Sequence, residues 1–558
     1  MSRRSAFTHA GALFLALTLV LQASSAGAAA TPLWSSSLAF TNVVASKPVQ
    51  GGGYPVEPGT NAYVPGTCGP QQLDSNRSES WIAVKPGTED LIGTSKFFIS
   101  KWSTFYDFHL GSYTILGGTP VANNQVQGYE CTTVGTQAMP PSWTMNTDPN
   151  VDFDTKGRAY QTTLPFNAFW QNMHPNAAVM VSYTDDLGAH WVTANGGEPL
   201  EQSPNSSSLQ FGHVEDKQWI AVNHIPGNKY QDHVYAMWSV FNGSSVDLRL
   251  SVSRDRGATF SRYSSFTTPA VSGPANFYVY PSIDANGDLY VSFASQEKDL
   301  HGGVVSLYVA KSTDDGATFT FSRVVTGVGV IPSCCLPNTT FRDGITESFA
   351  ASPTYPGHLY ATYEDWDFTN GQMDVKFVQS TNGGATWSAP VKVNDNAESA
   401  GYTDQFQPSI AAGPNGAVAI AFYDRRAACP NDKSVLAADV GRRNFCIDVT
   451  LQAYKDTGAG AQPVLANTRI TKYTWDPMNP AQHVDGIGQM ACAAHRDPCT
   501  QRAFIGDYFG LAISGGNIYA LFVSTHYPSS VSADEGGPVY YQQQVLATVP
   551  RSAYGAGY

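Results

Sequence analysis

The stretch Ser312-Thr313-Asp314-Asp315-Gly316-Ala317-Thr318-Phe319 constrains the fold of this chain more than any other. Its spacing of hydroxyl, Asp, Gly and aromatic returns at residues 184–191, 253–260 and 380–387. Each copy predicts a tight hairpin turn: the Asp side chain accepts backbone N–H bonds, Gly supplies a positive φ, and the aromatic folds back over the hairpin. One copy carries Asn382 at the Asp position, and Asn makes the same turn. Four self-similar turns call for a repeat architecture.

A longer unit encloses each turn. An apolar strand, a turn and a second strand carrying Tyr or a branched residue precede it, as in residues 219–222 with 234–238 and 282–284 with 288–291. Aligning the units on one inner-strand position gives Ile82, Phe153, Ile220, Ile283, Phe349, Ile410 and Leu511, at spacings of 71, 67, 63, 66, 61 and 101 residues. The turns begin 31, 33, 29 and 31 residues after Phe153, Ile220, Ile283 and Phe349. The same offset marks a degenerate copy at residues 113–117 and, allowing for an insertion over 427–446, another at 454–458; the long interval also holds an insertion over 461–501.

Four short strands in about 65 residues make one propeller blade. The expectation is an all-β fold, a β-propeller of seven four-stranded antiparallel blades, or six if the first unit is only a lead-in strand. Residues 31–558 would form this one domain, with residues 539–548 helping to close the ring.

The turns resemble the Asp-box (BNR) repeats of the sialidase-like β-propeller superfamily, over most of the chain from Trp81 onward. In that family these turns are structural and lie away from the substrate. The resemblance implies glycoside hydrolysis with three arginines on a substrate carboxylate, a Tyr nucleophile assisted by Glu, and an acid/base Asp. Arg342, Arg425 or Arg426, Tyr508, Glu364 and one of Asp216 or Asp404 could fill those roles. The family's Arg-Ile-Pro element is missing: Arg77 is followed by Ser78-Glu79.

Arg3 and Arg4, an apolar run over 10–21 and the small residues of 26–30 read as an export signal occupying residues 1–30. The run is too short for a membrane span, so a secreted protein without a membrane partner is expected. The net charge of −13 argues against nucleic acid. Eight cysteines in an exported chain imply disulfides, with Cys429–Cys446 and Cys492–Cys499 the expected pairs. A monomer is expected.

Propeller topology selects the candidate site. The Asp-box turns share one face with the turns between first and second strands, so the opposite mouth collects the entrances to the inner strands and the exits from the second strands. Asp216 and Asp507 lie four residues before their aligned positions and Asp404 six before its own, with Arg77, Glu79, Arg342 and Asp343 in matching approaches. Glu364, Trp366, Asp424, Arg425 and Arg426 leave second strands, with Trp170 and His526 in units 2 and 7. Carboxylates can act as acid, base or nucleophile, arginines grip anionic sugars and aromatics stack on sugar rings.

Each residue has a plainer reading as a solvated or ion-paired strand end. Asp424 with Arg425 could pair between blades, and Asp216, Asp404 and Asp507 could ring a Ca²⁺ ion, although no cofactor is required. Three functions follow: a sialidase-like hydrolase of extracellular glycans, a non-catalytic glycan- or protein-binding propeller, and a polysaccharide lyase using Tyr508 or His526.

Overall fold

A computed structural model describes residues 33–46, 77–98, 108–125, 133–134, 137–138, 145–166, 177–203, 214–242, 245–266, 276–295, 303–333, 335–344, 347–398, 401–478, 504–532, 538–540 and 542–558. The described residues from Trp34 onward belong to one compact unit. Seven blades fill this unit. Their inner strands include Arg77–Val84, Met145–Thr147 with Asp152–Phe153, Val214–Val222, Asn276–Ile283, Glu347–Ala351, Gln405–Ala412 and Gly510–Ile513.

The ring closes with a strand the sequence reading left unassigned. Thr41–Val44 pairs antiparallel with Gln543–Pro550 as the outer strand of the seventh blade. Gln543–Pro550 itself is that blade's third strand, paired with Asn517–Ser524. The blade therefore takes strands from both ends of the unit, and its edge is covered instead of open. On the inner side, a Cβ at Gly510 would stand 2.7 Å from the Ile82 backbone nitrogen, so only glycine lets the seventh blade approach the first this closely.

The repeated turns share one hydrogen-bond pattern. In each, the first residue's hydroxyl (Thr184, Ser253, Ser312, Ser380) donates to the side chain of the third and accepts the fifth residue's N–H. The third side chain then accepts the seventh residue's N–H. Gly188, Gly257, Gly316 and Gly384 have φ of 85°, 84°, 79° and 85°. Of the degenerate copies, residues 113–116 lie inside the strand Phe108–Leu116, and the turn falls at Gly117–Gly118. In the other, Asp456 accepts N–H bonds from Gly458 and Gly460.

The recurring second-strand tyrosines tie blades together. Tyr235 donates to Asp315 of the next blade, Tyr360 to Asp456 and Tyr519 to Glu89, at 2.8, 2.6 and 2.6 Å. Along the axis a cavity of about 220 Å³ is lined by Ile82, Ile220, Ile283, Phe349, Ile410 and Leu511, all aligned positions, with Val151 in place of Phe153. Of the expected insertion over 461–501, Ala461–Pro463 and Thr468–Arg469 pair with Asp448–Asp456 and belong to the sixth blade.

Candidate functional site

The inner strands enter the mouth through bulges. In blades 1, 3, 4 and 6 the pairing slips by one residue between Ser78 and Ser80, Asp216 and Trp219, Phe277 and Tyr280, and Phe406 and Ser409. The inserted residues Glu79, Lys217, Tyr278 and Gln407 have φ of 40°, 52°, 54° and 45°, and Asp148 of blade 2 has 59°. Left-handed backbone costs a residue with a side chain about 1–3 kcal/mol and concentrates where a fold re-aims side chains. Counted from the bulges, Val151 and Pro281 occupy the places aligned from sequence on Phe153 and Ile283. A slip of two keeps the same strand face.

These re-aimed side chains meet. The Lys217 ammonium lies 2.7 Å from Asp507 and 3.8 Å from Asp148, and 4.9 Å from the centre of the Tyr278 ring. Arg342 grips the same Asp507 with Nε at 2.8 Å and a terminal nitrogen at 2.5 Å, its guanidinium stacked 4.7 Å over Phe504. Glu79 pairs with Lys96 at 2.7 Å. The Gln407 side chain donates to the Gly506 carbonyl at 2.8 Å, and its backbone N–H donates to Glu364 at 2.9 Å.

Below this charged layer lies an aromatic floor. Trp219 is 4.7 Å from Trp81, 4.8 Å from Tyr280 and 4.9 Å from Tyr508, ring centre to ring centre. Trp81 and Trp219 also line the axial cavity, so the floor lies between that cavity and the mouth.

Burial and neighbouring charge divide the carboxyls. Burial opposes ionisation of Asp507, yet Arg342 and Lys217 outweigh it and hold the group well below the usual carboxylate range. Asp216 is pushed up to about 6 by burial and the Asp148 carboxylate, against the pull of Lys217 and Arg342. Burial raises Glu79 to about 7 despite Lys96. Asp343 reaches about 8 through burial and the Asp404 and Asp507 carboxylates, and one of its oxygens has no hydrogen-bond partner. The phenols of Tyr278 and Tyr508 are pushed up, chiefly by burial and then by nearby acids.

Several expected residues lie at the mouth in other settings. The Tyr508 hydroxyl donates to the Pro149 carbonyl at 3.1 Å, within the floor. Asp404 pairs with Arg425 at 3.0 Å inside blade 6, with Asn444 donating to the same Asp404 oxygen at 2.9 Å. Asp424 pairs with Arg426 at 2.7 Å and Arg425 with Asp404, in place of the Asp424–Arg425 pairing considered as an alternative. Arg426 also holds Asp395 at 2.7 Å under the Trp34 ring. Trp366 packs in the core with Phe341, Met373 and Phe406. Arg77 is fully buried, its backbone exchanging hydrogen bonds with Gln542. His526 stacks on Tyr473 at 3.8 Å. Trp170 lies outside the described residues, as do Cys492 and Cys499.

With Asp507 and Asp404 in ion pairs, two of the three acids considered for a Ca²⁺ ring already have cationic partners. Among the described residues no three His, Cys, Asp or Glu side chains converge to hold a metal ion. Asp148, Lys217, Tyr278 and Gln407 are the mouth residues that sequence reasoning missed. The two-residue slip in blades 2 and 4 hid Asp148 and Tyr278, while Lys217 was overlooked beside Asp216.

No protein-family model and no curated protein sequence matches the chain. Among solved structures it is similar to the polysaccharide lyase Uly1, with 10% identity and a TM-score of 0.43 over 92% of this chain and 99% of that one. An α-L-arabinanase of Penicillium chrysogenum aligns at 13% identity and a TM-score of 0.38, over 76% of this chain and 97% of that one. The NanB sialidase of Streptococcus pneumoniae aligns at 11% and 0.35, over 83% and 84%.

Proposed function

We propose that the protein is a secreted carbohydrate-active propeller, a glycoside hydrolase that works at the inner-strand mouth on anionic glycans. The observation that carries this reading is the opposite treatment of two carboxyls at equivalent strand entrances. Asp507 is fixed as a carboxylate by Arg342 and Lys217, whereas Asp216 is pushed up to about 6. Environments that push two carboxyls apart assign one the acid's role and the other the charged role.

In this reading Asp216 gives its proton to the glycosidic oxygen as the bond to the sugar breaks. The Asp507 carboxylate offsets positive charge developing on the ring, and water supplies the new hydroxyl and returns the proton. Arg342, whose side chain is 39% exposed, is the cation best placed to take a sugar carboxylate, and this supports a sialidase-like specificity. The shifts of Tyr278 and Tyr508 run against a phenolate base, which weighs against a lyase. The buried Cys429–Cys446 disulfide suits an oxidising compartment, and among the described residues no helix is long and apolar enough to cross a membrane.

A binding-only propeller is the second reading, favoured by the complete pairing of Asp404 with Arg425 and Asp424 with Arg426. The test is release of free sugar from sialylated, uronate-containing and neutral glycans by the purified protein, beside Asp216→Asn and Arg342→Ala. Release from an anionic glycan, lost in both variants, is the expected result. Binding without any product would install the second reading.

A further inference from the structure

Residue 217 touches both carboxyls on which the proposed hydrolysis depends. Its backbone N–H donates to Asp216 Oδ1 at 2.8 Å, and its ammonium reaches Asp507 Oδ2 at 2.7 Å. The two contacts come from one residue because the bulge separates their directions: the backbone at φ 52° turns its N–H to the preceding side chain while the Lys stem crosses to the seventh blade. In a regular strand, residue 217 would alternate with Asp216 across the two faces of the sheet. Lysine at a left-handed position is disfavoured, so the strain has to be offset by what the side chain does there.

We infer that Lys217 is a positioning residue that couples Asp216 to Asp507, holding the first through its backbone and the second through its ammonium, so that both face one substrate. This rests on the hydrolase reading. Arg342 alone would fix the plane of Asp507 through its two bonds, but it approaches from blade 5 and does not touch Asp216. The Lys217 side chain is 13% exposed, and its ammonium sits 4.9 Å from the centre of the Tyr278 ring. Asp216 interacts with the charged and titratable groups Asp148, Lys217, Arg342 and Tyr278, and Lys217 with Asp148, Asp507, Tyr278, Asp216, Glu79 and Tyr280.

Removing the ammonium has a defined sign. Lys217 lowers the Asp216 value, so Lys217→Met raises it further. If Asp216 must carry a proton to work, the alkaline limb of the pH profile then moves to higher pH although a cation has been lost. Misplacing a reacting group costs a rate of roughly a hundredfold. Lys217→Met should therefore lower kcat about that much while KM changes little, and Lys217→Arg should recover most of the rate and return the limb toward its original place.

The measurement combines kcat, KM and pH profiles of the wild type, Lys217→Met and Lys217→Arg with an infrared titration of the Asp216 carboxyl band, assigned by loss of that band in Asp216→Asn. An upward shift in Lys217→Met, reversed in Lys217→Arg, supports the coupling. An unmoved Asp216 titration in a folded Lys217→Met protein overturns it, whatever the activity. If the infrared shift is present but no glycan is cleaved by the wild type, the hydrolase reading fails and the coupling stands.

Discussion

Arg342 and Asp507, separated by 165 residues of chain, meet through two parallel hydrogen bonds of 2.8 and 2.5 Å that join the approach to blade 5 to the entrance of blade 7. Lys217 adds a third contact from blade 3 at 2.7 Å. One carboxylate therefore ties three blades together across the axis. Asp507→Ala leaves Arg342 without its carboxylate and Lys217 with only Asp148 at 3.8 Å, and breaking a buried pair from one side costs about 3–5 kcal/mol. Arg342→Ala should cost well under half as much, because Lys217 still neutralises Asp507 and Arg342 is partly solvated. Urea titrations of both variants check this. Equal, small losses would show that the blades hold without this clamp.

A pH effect on stability follows from Glu347. Its carboxyl is buried, accepts the Ser292 hydroxyl at 2.7 Å, and is raised from an ordinary 4.5 to about 8 by burial, with the Ser292 bond opposing. A carboxyl whose folded value is raised favours the native state while protonated. That advantage is complete below the unfolded value and is lost as pH rises through the folded one. Wild-type stability should decline from about pH 4.5 towards pH 8 on account of this group. Glu347→Gln keeps an oxygen for Ser292 and cannot ionise. Chemical denaturation should find it close to wild type at acidic pH and more stable above pH 8. A difference between the two proteins that does not vary with pH would refute the assignment.

The blades were legible because their turns obey local rules. The Ser312 hydroxyl, the Asp314 carboxylate and Gly316 each satisfy a bond within eight residues, so their spacing survives in the sequence. The mouth was legible only in part. Asp216 and Asp507 could be placed because their strands keep the aligned register. Tyr278 and Asp148 could not, because their blades depart by two residues from the aligned register and nothing local announces the slip: what fixes it is Lys217, which meets both from another blade. The closing strand Thr41–Val44 was silent for a related reason, since a four-residue outer strand with alternating exposure has little pattern of its own and acquires a partner only through Gln543–Pro550.

That closing strand yields a truncation prediction. The Ser46 hydroxyl donates to Gln543 Oε1 at 2.8 Å and accepts the Gln544 N–H at 2.7 Å, which locks the register of the four pairs from Thr41 to Val44. A chain beginning at Leu33 retains all of this and should unfold at the same temperature as one beginning at residue 31. A chain beginning at Lys47 exposes the edge of Gln543–Pro550, and should melt several degrees lower and associate through that edge. Calorimetry with light scattering compares them, and equal melting of all three would mean that the ring closes without the outer strand.

The disulfide Cys429–Cys446 closes a loop with a sequence separation of 17 residues that carries Asn444 back to the mouth. There the Asn444 side chain accepts the Asp404 N–H and donates to the Asp404 carboxylate, both at 2.9 Å, while its carbonyl accepts a bond from Arg425. Burial lowers Arg425 to about 10 against the pull of Asp404, so this guanidinium depends on every acceptor it has. Replacing both cysteines with serine frees the loop in the unfolded chain and should lower stability by about 3 kcal/mol on the chain-entropy account. The loss should be local first. Amide exchange at Asp404 should accelerate before exchange in the inner strand Gln405–Ala412, because the Asp404 N–H is bonded to the loop and not to the sheet. If Asp404 and the strand exchange together in the serine variant, Arg425 rather than the disulfide holds the loop in place.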